Sequence, residues 1–306
     1  MTSTRHEWQA PDGQTFPYSL WDIPGARRPR AVIVAVHGLS GAALDFEPLG
    51  GHLVPHDIVT FAIELRGQGN DPRHGHPGDL AQVDDWYRDL SAFFALVRSR
   101  YPDSQVYYYG ESLGAALLTR FVAQAAEPDL PSGLILASPV VILDKKQPLL
   151  RDLLFRFFLR FYPTRRIDVA KFTKRDRDDP SKWVTRDQAH RRWFETAPHR
   201  VTRFTFRFFK AIFDLINGCN EAAPKIKVPV LVIYAANDVF IKPARVEEFF
   251  ARLGSREKEL RFFSESYHLL LHDHDKTEVL DRIQAWLLRR IEITDKRDTV
   301  NAQFNI

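Results

Sequence analysis

The sequence of 306 residues contains a single cysteine, Cys219, so it can form neither an internal disulfide nor a metal site of several cysteines. Apolar runs are short: strand-like blocks such as Ala31–Val36 fall far below the ~18–20 residues of a membrane span. The first residues, MTSTRHEWQAPDG, lack the apolar core of a secretory signal. Repeats and linkers rich in glycine or serine are also missing. These absences favour a globular protein of the cytoplasm.

Positive charge is concentrated in one part of the chain. The net charge is +4, but residues 149–223 hold 17 Lys and Arg against 9 Asp and Glu, and the rest of the chain is slightly acidic. This basic segment indicates either solvated helix faces or a surface that meets an anion or an anionic membrane, which would make the protein peripheral to that membrane. No nucleic-acid recognition module occurs, so we expect no nucleic-acid partner.

Short apolar blocks alternate with helical patterns along most of the chain. The predicted strands are Ala31–Val36, Ile58–Ile63, Val106–Tyr109, Leu134–Ala137, Val230–Tyr234 and Leu260–Phe263. Helical spacing follows over residues 83–98, 113–126, 244–253 and 279–291. The alternation predicts an α/β fold with a mostly parallel central sheet flanked by helices. At the N-terminus, His6–Gln9 and Thr15–Trp21 flank the turn at residues 11–13 and predict an antiparallel hairpin at the sheet edge.

Residues 139–224 interrupt this alternation. They contain no clear buried strand, but an apolar stripe from Leu149 to Phe161 and a second amphipathic pattern over residues 201–216 predict two helices. We therefore divide the chain into a first core part, 1–138, a helical insertion, 139–224, and a second core part, 225–306.

The most specific motif is Gly110-Glu111-Ser112-Leu113-Gly114, which has the form G-x-S-x-G, follows a predicted strand and opens a predicted helix. Such a tight turn projects a serine hydroxyl above the sheet, and its flanking glycines allow the strand and helix backbones to approach closely. Free N–H groups at the helix N-terminus suit a developing oxyanion. The motif predicts that Ser112 is a nucleophile.

A serine nucleophile needs a base, and the base needs an acid that holds its tautomer. Among the 11 histidines, His268 follows the last predicted strand, at the carboxyl edge of the sheet where ligands bind in open α/β folds. Its competitors His272 and His274 are better explained as solvated residues near the closing helix. Asp238 follows the strand Val230–Tyr234 and gives the order Ser, acid, His that is typical of this turn.

An oxyanion hole needs two donors, and backbone N–H groups suffice. One is expected from Leu113, directly after the nucleophile, and the other from Leu39 in the loop that follows the strand Ala31–Val36. His37 in the same loop is expected to brace it. No metal and no organic cofactor is implied by these residues.

In this order, the segments VHGLSG, ELRGQGND, YYYGESLGAALL, LVIYAANDVF and SESYHLLLHD resemble the α/β-hydrolase superfamily. Within it, the chain is similar to the branch of monoacylglycerol lipases and lysophospholipases, often grouped with the serine aminopeptidases. The pattern departs from the family at Glu64, where Asp is usual, and at Gln68, where His is usual. Glu111 adds a carboxylate beside the nucleophile where His or Gln is common, and the sequence leaves its role open.

The resemblance implies a serine hydrolase that cleaves carboxylic esters of lipid-like substrates through an acyl-enzyme intermediate, with the insertion as a lid. The aromatic residues of the lid that are candidates to line an acyl-chain site are Phe157, Phe158, Phe204 and Phe208. Short-chain carboxylesterase, thioesterase and peptidase activities remain alternatives, as does a ligand-binding homologue without catalysis. The oligomeric state is left open.

Overall fold

The fold is described from a computed structural model, which covers residues 2–25, 27–73, 75–126, 129–142, 149–169, 179 and 183–304. Its strands are β1 (Thr4–Gln9), β2 (Thr15–Trp21), β3 (Ala31–Val36), β4 (Ile58–Ile63), β5 (Gln105–Glu111), β6 (Gly133–Ala137), β7 (Arg166–Asp168), β8 (Arg203–Thr205), β9 (Val230–Ala235) and β10 (Lys258–Phe263). Its α-helices are α1 (Glu47–Leu53), α2 (Val83–Arg100), α3 (Leu113–Gln124), α4 (Leu149–Phe161), α5 (Gln188–Thr196), α6 (Phe206–Asn217), α7 (Cys219–Ala222), α8 (Pro243–Arg252) and α9 (Lys276–Phe304). Short 3₁₀ turns connect several of these elements.

Within the described residues, the central sheet has eight strands in the order β1-β2-β4-β3-β5-β6-β9-β10. The β1–β2 and β2–β4 pairs are antiparallel, whereas every pair from β4 to β10 is parallel. Strands β3, β4 and β9 are buried along their whole length because helices cover both faces of the sheet, which explains their continuous apolar runs. The predicted α/β fold with its N-terminal hairpin is confirmed.

The helices around the sheet follow the apolar periodicity of the sequence. On α2, the buried positions include Trp86, Leu90, Phe93 and Val97, which recur at helical spacing and face the core. Helix α9 is longer than expected, because it continues beyond residue 291 to Phe304. In the part of the chain that the structure describes, no helix is both long and apolar enough to cross a bilayer.

The segment between β6 and β9 differs from the sequence expectation in its two short strands, in the additional helices α5 and α7, and in the start of α6. Strand β8 pairs antiparallel with β7 to form a small second sheet, although no strand was expected there. The predicted helix over residues 201–216 begins at Phe206 instead, because Thr205 caps it by accepting a hydrogen bond from Phe208 N at 3.2 Å. The preceding residues are thereby free to pair as a strand.

Candidate active site

Ser112 occupies a strained turn between β5 and α3. Its φ of 55° and ψ of −114° are unusual for a residue with a side chain, and they project the hydroxyl away from both elements. A Cβ on Gly110 would lie 2.7 Å from Ala115 Cα, and one on Gly114 would collide with the carbonyl oxygen of Val36. Glycine at both positions is therefore a steric requirement of the close strand–helix contact, as the sequence predicted.

The structure brings Ser112, His268 and Asp238 together in one hydrogen-bonded row. Ser112 Oγ lies 2.8 Å from His268 Nε2, and His268 Nδ1 lies 2.7 Å from Asp238 Oδ2. Because a carboxylate only accepts, Nδ1–H donates to Asp238, and Nε2 is left to accept from the serine hydroxyl. The side chains of His268 and Asp238 are 3% and 1% exposed, so bulk water scarcely competes for these bonds.

Local backbone bonds fix the two partners of the serine. Asp238 Oδ1 accepts from Phe240 N at 2.8 Å and from Ile241 N at 3.2 Å, which leaves Oδ2 for the imidazole. Ser138 follows β6 and donates its hydroxyl to the carbonyl oxygen of His268 at 2.7 Å. Ser138 was not predicted from the sequence, because a lone serine after a strand gives no signal of a partner 130 residues away.

The pKa of the His268 imidazole is raised above its ordinary value. Burial alone would lower it, but the negative charge and hydrogen bond of Asp238, with the charge of Glu111, outweigh burial and stabilise the imidazolium. The row therefore holds a histidine that is a stronger base than one in water.

The loop after β3 lies against the nucleophile. A Cβ on Gly38 would be 3.0 Å from Ser112 Cβ, so the backbone that leads into Leu39 passes directly beside the serine. Leu113 is the first residue of α3, and its N–H has no acceptor within the helix. The positions of Leu39 and Leu113 suit the predicted oxyanion donors.

His37 and Gln68 hold this loop in place through hydrogen bonds. His37 Nδ1–H donates to Gly38 O at 2.8 Å and its Nε2 accepts from Leu65 N at 3.1 Å, while burial lowers the pKa of this imidazole to about 4. Gln68 Oε1 accepts from Ser40 N at 2.9 Å. At the position where the family usually has His, Gln68 thus holds the loop, a role that was not predicted for it.

A group of buried acids lies behind the serine and the loop. Glu64 accepts from Asn70 Nδ2 at 2.7 Å, and Asp45 Oδ2 accepts from Ala42 N at 2.8 Å. Glu111, next to Ser112, is buried, and no hydrogen-bond partner for its Oε1 is found within the described residues. Burial raises the pKa of Asp45 to about 8 and that of Glu111 to about 7.

The two histidines that compete with His268 by sequence lie outside this row. His272 Nε2–H donates to the carbonyl oxygen of Asp45 at 2.7 Å, and its ring stacks on His190 with centroids 3.9 Å apart. The expectation that His272 is a solvated residue is therefore wrong, since its ring is packed and its pKa is lowered to about 3, chiefly by burial. His274 is exposed.

The four aromatic candidates for an acyl-chain site fall into two pairs. Phe204 and Phe208 have no exposed surface and pack on each other, and Phe208 also packs on Trp86, so their burial argues against contact with a substrate. The ring of Phe158 stacks on Phe206, whereas Phe157 is half exposed. Sequence periodicity detects an apolar helix face but does not distinguish a face that packs inward from one that is left open.

The fold and the hydrogen-bonded row define a serine hydrolase of the α/β-hydrolase class. Residues 27–275 match the family described as serine aminopeptidase, S33, and the chain belongs to that family.

Named relatives align along nearly the whole chain. Monoglyceride lipase of Rattus norvegicus is 23% identical over 295 residues, which cover 94% of this chain and 91% of the relative. Phospholipase YtpA of Bacillus subtilis is 24% identical, with 85% of this chain and 96% of the relative covered. Among solved structures, a soluble variant of monoglyceride lipase from Saccharomyces cerevisiae in complex with a substrate analog has a TM-score of 0.80 at 20% identity, covering 95% of this chain and 96% of that chain.

Proposed function

We propose that this protein hydrolyses carboxylic esters of lipid-like substrates, of the monoacylglycerol or lysophospholipid type, through an acyl-enzyme on Ser112. The observation that carries the proposal is the buried row from Ser112 Oγ through His268 to Asp238, with bonds of 2.8 and 2.7 Å. Activation of a serine by a neighbouring imidazole and carboxylate is the general requirement for acyl transfer. The lipid-like substrate class is supported by the similarity to a monoglyceride lipase and to a phospholipase.

The geometry supports a two-stage reaction. Ser112 Oγ attacks the ester carbonyl while its proton passes to His268 Nε2, and the N–H groups of Leu39 and Leu113 stabilise the oxyanion. Collapse breaks the bond to the alcohol, which leaves with the proton from His268. Water then attacks the acyl-enzyme with the same proton transfers and releases the acid and the free serine.

A fluorophosphonate probe tests the nucleophile. Wild type is expected to be labelled, and Ser112→Ala is expected to lose all labelling. Ser99→Ala is the matched control, because Ser99 is exposed on α2 and its hydroxyl donates to Leu96 O of the same helix. Labelling that persists in Ser112→Ala would assign the nucleophile elsewhere, and an unlabelled wild type would favour the ligand-binding alternative.

Chain-length profiling tests the substrate class. With p-nitrophenyl esters of two to sixteen carbons, monoacylglycerols, lysophospholipids, thioesters and aminoacyl amides, kcat/KM is expected to peak at long acyl chains. A peak at short esters, thioesters or amides would instead select the corresponding alternative activity.

We further propose that residues 139–224 form a lid whose helix α4 docks on anionic lipid surfaces. Contacts on two sides of the serine support the lid: Leu269 N donates to Val184 O at 2.8 Å, and Ser40 Oγ donates to Val201 O at 2.6 Å. Helix α4 and the residue after it expose the α4 patch, which consists of Leu153, Leu154, Phe157, Phe161 and Tyr162.

Exposed arginines accompany this patch. Arg156 and Arg160 lie on the same helix, and Arg165 follows it. An exposed apolar face bordered by arginine fits an anionic bilayer surface, where each cation contributes about 1 kcal/mol at low salt.

Co-sedimentation with vesicles tests the docking. Binding to vesicles that contain phosphatidylglycerol is expected to exceed binding to pure phosphatidylcholine and to weaken with salt. The variant Phe157→Ala/Phe161→Ala is expected to bind several-fold less. Phe262→Ala is the matched control, because Phe262 is similarly exposed but lies on β10. Binding that does not change with lipid charge, with salt or with substitution of the α4 patch would refute this docking.

A further inference from the structure

Glu111 is a buried acid that the proposed reaction does not yet use. It is the last residue of β5 and directly precedes Ser112, so the strand fixes it beside the nucleophile. Glu111 is 3% exposed, and its Oε1 has no hydrogen-bond partner among the residues that the structure describes. A glutamate held this way is costly, since burial of a carboxyl without full hydrogen bonding opposes its charge.

The ionisable groups around Glu111 come from three separate elements. His268 lies on the loop after β10, Asp45 on the 3₁₀ turn Ala43–Phe46 and Tyr109 on β5 itself, and each of them senses the charge of Glu111. Tyr109 stays neutral at ordinary pH because burial raises the pKa of its hydroxyl well above the usual value. His268 is the one of the three that hydrogen-bonds Ser112.

We propose that Glu111 is a positioning residue whose carboxyl acts through its charge on the His268 imidazole, so that hydrolysis responds to pH in two steps rather than one. The proposal rests on the proposed function, because it concerns the base of the same reaction. When Glu111 is ionised, two anions favour the imidazolium; when it is neutral, Asp238 alone does so.

The charge states of the two groups support this coupling. Burial raises the pKa of Glu111 to about 7, and the positive charge of His268 lowers it from what burial alone would give. Reciprocally, the charge of Glu111 raises the pKa of His268. Since the charge of each group shifts the pKa of the other, their protons leave in two macroscopic steps that belong to the pair.

A purely structural role for Glu111 makes a different prediction. Glutamine has the same shape and can hydrogen-bond at the same place, so Glu111→Gln would leave the pH profile unchanged if only packing mattered. If charge matters, Glu111→Gln removes one ionisation and leaves His268 with the lower pKa that Asp238 alone maintains.

The test is the pH dependence of kcat/KM between pH 5 and 9, with an uncharged p-nitrophenyl ester. The kcat/KM of wild type is expected to rise with pH in two steps. The kcat/KM of Glu111→Gln is expected to rise in a single step, displaced toward acid because the charge that raises the pKa of His268 is gone. Glu111→Asp retains a carboxyl and is expected to keep two steps.

Asp45→Asn is the matched control, since it removes a second buried acid that senses the charge of Glu111 but is not among the groups that shift the pKa of His268. This variant is expected to keep both steps. A single step in wild type, or superimposable profiles of wild type and Glu111→Gln, would overturn the proposal.

Fluorophosphonate labelling separates this proposal from the proposed function. If wild type is labelled at Ser112 but its pH profile has a single step, only the role of Glu111 is contradicted, and the proposed function stands. Failure of labelling at Ser112 contradicts the proposed function itself, and with it the role of Glu111.

Discussion

At the scale of single residues, the candidate site depends on hydrogen bonds that fix the orientation of Asp238 and the tautomer of His268. The two backbone N–H groups of residues 240 and 241 occupy Oδ1 of Asp238, so its Oδ2 faces the imidazole. That bond sets the tautomer in which His268 Nε2 accepts from Ser112.

Asp238→Asn tests the tautomer directly. The asparagine keeps an oxygen for the backbone N–H groups, but its amide then donates toward Nδ1 and forces the proton onto Nε2, where it opposes the serine. We expect kcat to fall by about 10³–10⁴, with the fold preserved in circular dichroism. Asp214→Asn, on the exposed side of α6, is the control and is expected to retain wild-type kcat. A value for Asp238→Asn within tenfold of wild type would assign the acid to another residue.

Much of this row was predictable because its members carry local signals. Ser112 lies in a motif with glycines that the turn requires, and Asp238 follows within three residues of the continuous apolar run of β9. His268 follows β10, in which apolar and charged residues are mixed, so its signal was its position after the last strand. Ser138 and Gln68 carry no such signal. Each hydrogen-bonds a residue distant in sequence, and the sequence does not specify which loops become neighbours.

At the scale of elements, the sheet was predictable and the insertion only in part. Buried parallel strands need continuous apolar runs, whereas β7 and β8 are three residues each and too short for a periodic pattern. The start of α6 depends on Thr205, which caps the helix and also donates its hydroxyl to Asp79 Oδ1 at 2.8 Å. Arg207 adds a bidentate pair with the same carboxylate.

Asp79 therefore anchors the start of α6 to the core, and Asp79→Ala is expected to loosen it. The substitution removes the acceptor for both Thr205 and Arg207, and we expect the free energy of unfolding to fall by about 1–2 kcal/mol. Hydrogen exchange in residues 203–217 should accelerate more than in β3 or β5. Glu248→Ala breaks the exposed pair with Arg245 and is the control, with an expected change below about 0.5 kcal/mol. Equal effects of the two substitutions would contradict the anchoring role.

At the scale of the whole molecule, buried ionisable groups give stability a defined dependence on pH. Burial lowers the pKa of His37 to about 4 and that of His272 to about 3, so the folded state binds fewer protons than the unfolded state below the ordinary histidine value. Burial raises the pKa of Asp45 to about 8 and that of Glu111 to about 7. At pH values between the ordinary pKa of a carboxyl and these raised values, the folded state therefore binds more protons than the unfolded state. Between about pH 4 and 6.5 the two effects oppose each other.

Above about pH 6.5 His37 and His272 are neutral in both states, and His268, whose pKa is raised in the folded state, contributes in the same direction as the acids Asp45 and Glu111. The unfolded state has already lost their protons, while the folded state loses them as pH rises through 7 and 8, at the cost of burying charge. We expect the free energy of unfolding, from urea titrations at pH 5.5, 6.5, 7.5 and 8.5, to fall over the last three points. In Asp45→Asn this fall should be smaller by on the order of 1 kcal/mol, because the amide cannot ionise. Parallel curves for wild type and Asp45→Asn would mean that Asp45 keeps an ordinary pKa in the folded protein, and the alkaline loss would then need another source.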